Sequence, residues 1–232
     1  MTRRRLSPAL RQRGLSLVEM MVGVAVGLFV VAAAAMLVAT QLSDNRRLLL
    51  ETQVQQDLRA SLDIVTRELR RAGALTAEVA QVGLASGGAG GQTNAFGAVT
   101  PTDANASETG FSYMRMAGEE GPYGFKLEGG AIKTRLGGAG WQELTDPNTL
   151  RITEFTVTAQ NAAPIQLPCP RLCADGGTGC WPTVVVREFV VQVTGQAVGD
   201  AAVRRSLRST VRLRNDWVRF NDAANPIAAC PA

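Results

Sequence analysis

The sequence predicts an α+β protein: one long N-terminal α-helix, apolar in its first half, whose second half packs on an antiparallel β-sheet head. Three observations predict it. No proline interrupts the chain from Leu15 to Arg71. Apolar residues recur at a helical period through the end of that stretch. From Phe111 onward, short alternating or β-branched runs are separated by glycine and proline, which is the pattern of strands and turns.

Residues 1–14, MTRRRLSPALRQRG, hold five arginines and no acid. The rest of the chain carries 19 basic and 20 acidic side chains, so the net charge of +4 belongs to this leader. A near-neutral body gives no electrostatic case for nucleic acid. With no histidine in the chain, His-based triads, zinc sites and proton relays are excluded. Hydrophobic residues at 46% and charged ones at 19% exclude bulk disorder.

Residues 15–40 form the second segment. The twenty residues from Met20 to Ala39 are uncharged. A helix of that length spans roughly 30 Å, the thickness of a bilayer core. The arginines before it keep the N-terminus cytoplasmic and place everything after residue 40 outside the inner membrane. Gly23 and Gly27 add a small-xxx-small spacing that permits close helix approach.

Glu19 separates three readings of this segment. A secretory signal peptide, cut near Ala32–Ala35, gains nothing from a carboxylate that costs a few kcal/mol in the membrane. A plain anchor gains nothing either. A leader removed before the apolar stretch gives the carboxylate a use. Cleavage after Gly14 frees an α-amine on Leu15, and in a helical stack that amine and a neighbour's Glu19 neutralise each other's desolvation cost.

The string Gly14-Leu15-Ser16-Leu17-Val18-Glu19 resembles the class III signal of type IV pilins and type II secretion pseudopilins. That pattern is a short basic leader ending in Gly, an apolar first mature residue, and Glu as the fifth. Leu15 stands where Phe is commoner. The resemblance implies cleavage after Gly14, N-methylation of Leu15 by a membrane prepilin peptidase/methyltransferase, and a role for Glu19 in subunit pairing.

Residues 41–73 continue the helix as an amphipathic half. Leu50, Val54, Leu58, Leu62, Val65, Leu69 and Ala72 form one stripe, and Glu51, Gln55, Arg59, Asp63, Arg67 and Arg70 lie opposite. Gly73 is the expected C-cap. The segment QVQQDLRASLDIVTRELRRAG resembles the PilW group of minor pilins, and Ser209–Asn215 is similar to that group's closing strand. Pseudopilins of the J type share the general plan. The resemblance covers the first 73 residues and, more loosely, residues 184–215.

Residues 74–110 read as a Gly-rich connecting loop. The run SGGAGGQTNAFG lacks the Lys-Ser/Thr ending of a phosphate loop. Residues 111–232 form the β-sheet head, with strands expected at 111–116, 123–128, 131–136, 150–159, 184–194 and 203–214. Gly129-Gly130 is a hairpin signal. In the last strand Leu207, Ser209, Val211 and Leu213 alternate with Arg208, Thr210, Arg212 and Arg214, one buried face and one row of arginine. DNA is a conceivable partner for that row. A solvated face with cross-strand acid partners is the favoured reading, since few aromatics lie nearby to stack on bases.

Cys169, Cys173 and Cys180 sit in a Pro- and Gly-rich loop, and Cys230 lies two residues from the end. An even count on the oxidising side of a membrane suggests two disulfides. The C-x3-C-x6-C spacing is not a standard zinc pattern. The pairing is open, though Cys230 must join one of the other three if all are oxidised. Pilins of this class often carry such a C-terminal disulfide-bounded region.

No catalytic constellation appears, and Glu119-Glu120 reads as an exposed turn beside Gly121-Pro122. The chain is expected to be a structural subunit, not an enzyme, with no cofactor and no metal. The expected partners are the prepilin peptidase/methyltransferase, other minor and major pilins, the inner-membrane pilus assembly platform, and the bilayer before assembly. Its expected location is the bacterial inner membrane, single-pass with a periplasmic head, and then the pilus. A J-type pseudopilin and a membrane-anchored periplasmic binding domain are the alternatives.

Overall fold

The computed structural model describes residues 16–74, 96–102, 105–114, 119–220 and 230–231. Helix α1 runs unbroken over Leu17–Arg71. The chain divides into two compact units, one ending at Leu49 and the other beginning at Leu50. In the first, every described residue is exposed.

The second unit has its own core. The stripe expected on α1 is buried at Val54, Leu58, Leu62, Val65, Leu69 and Ala72, and the opposite positions Arg59, Asp63, Arg67 and Arg70 are exposed. Gly73 ends the helix with φ at 75°, the left-handed conformation that glycine adopts without strain. Its N–H donates to the Ser112 carbonyl at 2.8 Å, and Met114 N–H donates to the Ala74 carbonyl. The helix end is thereby tied to the chain that leaves the sheet.

Among the described residues the strands are β1 (Val99–Thr100), β2 (Asn105–Ala106), β3 (Glu108–Phe111), β4 (Tyr123–Glu128), β5 (Ala131–Leu136), β6 (Gln142–Glu143), β7 (Leu150–Ala159), β8 (Ile165–Gln166), β9 (Thr183–Val185), β10 (Glu188–Ala197), β11 (Asp200–Arg212) and β12 (Trp217–Arg219). They form three antiparallel sheets, ordered β1-β3-β4-β5-β6, β11-β10-β7-β2 and β12-β9-β8. Gly129 and Gly130, with φ at 65° and 80°, make the turn between β4 and β5, as a two-residue hairpin of the primed kind requires.

Three expectations are corrected. The strand placed at 111–116 ends at Phe111 and begins at Glu108, because Ser112 and Met114 spend their main-chain groups on the end of α1. The segment 74–110 is therefore not loop throughout, since β1, β2 and the start of β3 lie within it. The strand placed at 184–194 divides into β9 and β10, because the chain breaks where Arg187 turns inward. Of the run SGGAGGQTNAFG, residues 86–95 lie outside the described residues, and Phe96 and Gly97 lie within them.

The core is filled from both layers. Phe125, Phe155 and Phe189 are fully buried, and Tyr113 and Tyr123 stack with ring centroids 4.2 Å apart. The register of β10 against β7 shifts between Thr194 and Gly195. A Cβ on Gly195 would lie 2.9 Å from Leu150 Cδ1 and 3.2 Å from Leu58 Cδ2. Glycine is needed there so that the sheet backbone can approach the helix.

Candidate assembly site

Helix α1 begins at the residues on which the signal depends. Ser16 Oγ accepts the Val18 N–H at 3.3 Å, and the Ser16 carbonyl accepts the Met20 N–H at 3.1 Å. Ser16 is thus the N-cap and Glu19 the third helical residue, the S-x-x-E order of a capping box. A carboxylate in the first turn also meets the positive end of the helix dipole. Sequence reasoning missed the N-cap at Ser16, although the S-x-x-E spacing carried it. Gly14 and Leu15 lie outside the described residues.

The apolar surface that follows is open on every side. Leu17, Phe29 and Leu49 are 75%, 78% and 73% exposed. A Cβ added at Gly23 or Gly27 would meet nothing within 4 Å, so the small-residue face is unoccupied by this chain. The helix is long and apolar enough to cross a membrane. Contiguous apolar surface of this extent marks a lipid or protein partner.

In the head, the four cysteines form two disulfides, Cys169–Cys230 and Cys173–Cys180. The second closes a small knuckle in which Cys173 N–H donates to Gly177 O, Cys180 N–H contacts Cys173 Sγ at 2.9 Å, and the Trp181 indole donates to Arg171 O. The first holds the end of the chain against the 169–180 loop.

The strand expected at 203–214 is β11 at Asp200–Arg212, and the alternation runs on past its end, with Leu207, Ser209, Val211 and Leu213 at least half-buried and Arg208, Thr210, Arg212 and Arg214 exposed. The partners of the arginine row differ from expectation. Arg212 faces Glu188 across the strands and pairs with Asp216 at 3.1 Å, but Arg204 and Arg208 face Gln196 and Gln192. Arg205, on the other face, pairs with Glu51 of α1 at 2.5 Å.

Two charged residues were not legible as buried. Glu68 is 7% exposed and accepts Tyr113 O–H at 2.7 Å, with Arg71 at 3.2 Å on its other oxygen. Burial, reinforced by the hydrogen bond and charge of Glu68, pushes the Tyr113 phenol up to about 12. Glu68 lies on the stripe Ser61–Val65–Glu68–Ala72, whose spacing was the available signal. Arg187 is 4% exposed and donates to the Gly97 and Asn215 carbonyls. Burial pushes its pKa down, against a smaller opposing effect of Asp216.

Comparison with curated proteins returned no match, and comparison with solved structures returned none. Residues 10–35 match the prokaryotic N-terminal methylation motif, a span that contains Gly14, Leu15 and Glu19. This prepilin-type signal and the apolar helix together point to a membrane-anchoring segment joined to a head. Residues 47–213, which cover the head-packing part of α1 and the strands through β11, match the family described as prepilin peptidase-dependent protein B, and the chain belongs to that family of pilin-type proteins.

Proposed function

We propose that this chain is a minor pilin of the PilW kind, a structural subunit without catalytic activity that enters the initiating or tip complex of a type IV pilus. The observation that carries the reading is Glu19 at the start of a helix that is exposed through Leu49 and uncharged from Met20 to Ala39, five positions after the glycine that ends a basic leader. The precursor inserts with its arginines inside and its head in the periplasm. The peptidase removes residues 1–14 and methylates Leu15. The assembly platform then moves the apolar helix from lipid into a bundle of like helices. Head-to-tail contacts do not close on themselves, so they propagate a filament. Glu19 pairs there with the Leu15 amine of an adjacent subunit and sets the axial register.

Intact mass and N-terminal analysis of the protein from host membranes tests the processing. A chain beginning at methylated Leu15 is expected, whereas one beginning near residue 36 would make this a secreted protein. Two substitutions separate pairing from capping. Glu19→Gln keeps a side chain that completes a capping box but loses the charge, and Glu19→Ala loses both. The pairing role predicts that both variants fail to co-purify with other pilins while remaining in the membrane. Assembly retained by Glu19→Gln and lost in Glu19→Ala would reduce Glu19 to a cap.

A further inference from the structure

A pocket of about 610 Å³ opens in the head between β1, β9 and β12. Its floor is buried: Val99, Val185, Phe189 and Arg187 are each at most 5% exposed. Its rim is exposed, with Asn161 on one side and Arg219 on another. The volume falls within the range of small-molecule sites, and an apolar floor with one fixed polar group is their usual chemistry.

Arg187 is the unusual member. Its Nη1 and Nη2 donate to the carbonyls of Gly97 and Asn215, and its Nε–H has no acceptor among the described residues. Two carbonyl dipoles orient the guanidinium and leave its charge unneutralised. Among the described residues no carboxylate reaches it. Asp216, the acid whose charge it feels, is held by Arg212 at 3.1 Å. A buried cation without a counter-ion is costly, and an anion arriving in the pocket removes that cost.

We propose that this pocket binds a monocarboxylate carried on a small apolar body, with its carboxylate directed to Arg187. Charge sets the choice of anion. The floor holds one cation, which a single negative charge balances. Arg219, on the exposed rim, lies 4.0 Å over the Trp217 ring, so a phosphate dianion would lack a second buried partner. A planar carboxylate also suits the guanidinium fork. Val99, Val185 and Phe189 receive the carbon body. The site lies wholly in the head and does not rest on the filament reading. The carboxylate belongs either to a free small acid or to the end of a polypeptide.

The test is an NMR titration of the full chain in detergent micelles, reading the indole N–H of Trp217, identified by its loss in Trp217→Phe. The probes are butyrate, butyramide, the peptide acetyl-Ala-Val with a free C-terminus, the same peptide as its amide, and inorganic phosphate. Saturable shifts with at least one acid, at least tenfold weaker for its amide, are expected. A preference for butyrate indicates a free acid, and a preference for the peptide acid indicates a chain terminus. Arg187→Lys, which keeps the charge but loses the planar fork, should weaken acid binding at least tenfold. If that variant does not fold, the acid-against-amide comparison in the unaltered chain decides. No shift with either acid, equal binding of acid and amide, phosphate binding below the concentrations needed for both acids, or undiminished binding by folded Arg187→Lys would overturn the proposal.

Discussion

The two disulfides close loops of very different length, and their removal should therefore cost very different amounts. Cys169 and Cys230 are 61 residues apart, and Cys173 and Cys180 are 7 apart. In the chain-entropy model the longer loop contributes about 4.3 kcal/mol at 25 °C and the shorter about 2.4 kcal/mol. The perturbation is a pair of double variants, Cys169→Ala with Cys230→Ala, and Cys173→Ala with Cys180→Ala. The assay is urea unfolding of the full chain in micelles, followed by tryptophan fluorescence. Trp141, Trp181 and Trp217 all lie in the unit that begins at Leu50, so the signal reports the head alone. With a urea slope of about 2 kcal/mol/M, the long-loop variant should unfold about 1 M earlier than the short-loop variant. Equal midpoints, or a greater loss from opening the knuckle, would refute the reasoning. They would mean that local packing around Trp181 outweighs the constraint on the unfolded chain.

Leu58 is fully buried against Gly195, which has no side chain with which to fill a void. Leu58→Ala should cost about 4 kcal/mol, toward the upper part of the range for such truncations, in the same urea assay; a loss below about 2 kcal/mol would mean that the helix settles onto the sheet. Tyr113 should ionise near pH 12 in the folded head, against about 10 when unfolded. Its contribution to stability is complete below pH 10 and is lost as pH rises through 12. Absorbance at 295 nm in Tyr123→Phe, which leaves Tyr113 as the single tyrosine, should show the raised midpoint, and Tyr113→Phe should flatten the loss of stability between pH 10 and 12; a midpoint near 10 contradicts the buried hydrogen bond to Glu68.

What could be read from the sequence follows from how far each signal reaches along the chain. The stripe from Val54 to Ala72 was legible because helical burial repeats within a few residues. Strands β4, β5 and β7 were legible to the residue because alternation and the Gly129-Gly130 turn are local too. The ends of β3 and β9 were not. They are set by bonds from Ser112 to Gly73 and from Arg187 to Gly97 and Asn215, partners far away in sequence. Glu68 and Arg187 were hidden for the same reason: a charge reads as exposed until its distant partner is known. The cysteine count allowed two bonds, but their pairing is a property of the folded loop. At the candidate site, the methylation motif was legible from the order of residues around Gly14 and Glu19, and the N-cap at Ser16 was overlooked.

The stretch between the apolar run and the head bears on the filament reading proposed above. The uncharged run ends near Ala39, and burial in the head begins only at Leu50 and Val54. Between them, residues 41–49 carry Asp44, Arg46 and Arg47, which a bilayer core disfavours. Yet Leu42, Leu48 and Leu49 in the same stretch are 65%, 59% and 73% exposed. A plain anchor has no use for three large apolar side chains above the bilayer core. On the reading proposed above, lipid covers the uncharged run and cannot cover the charges and leucines placed side by side beyond it. A second protein helix can, because it offers an apolar seam flanked by polar positions. On that reading the same helix meets two environments in succession, a membrane for its uncharged part and a protein bundle for its exposed length. That succession is what incorporation of a pilin-type subunit into a filament requires.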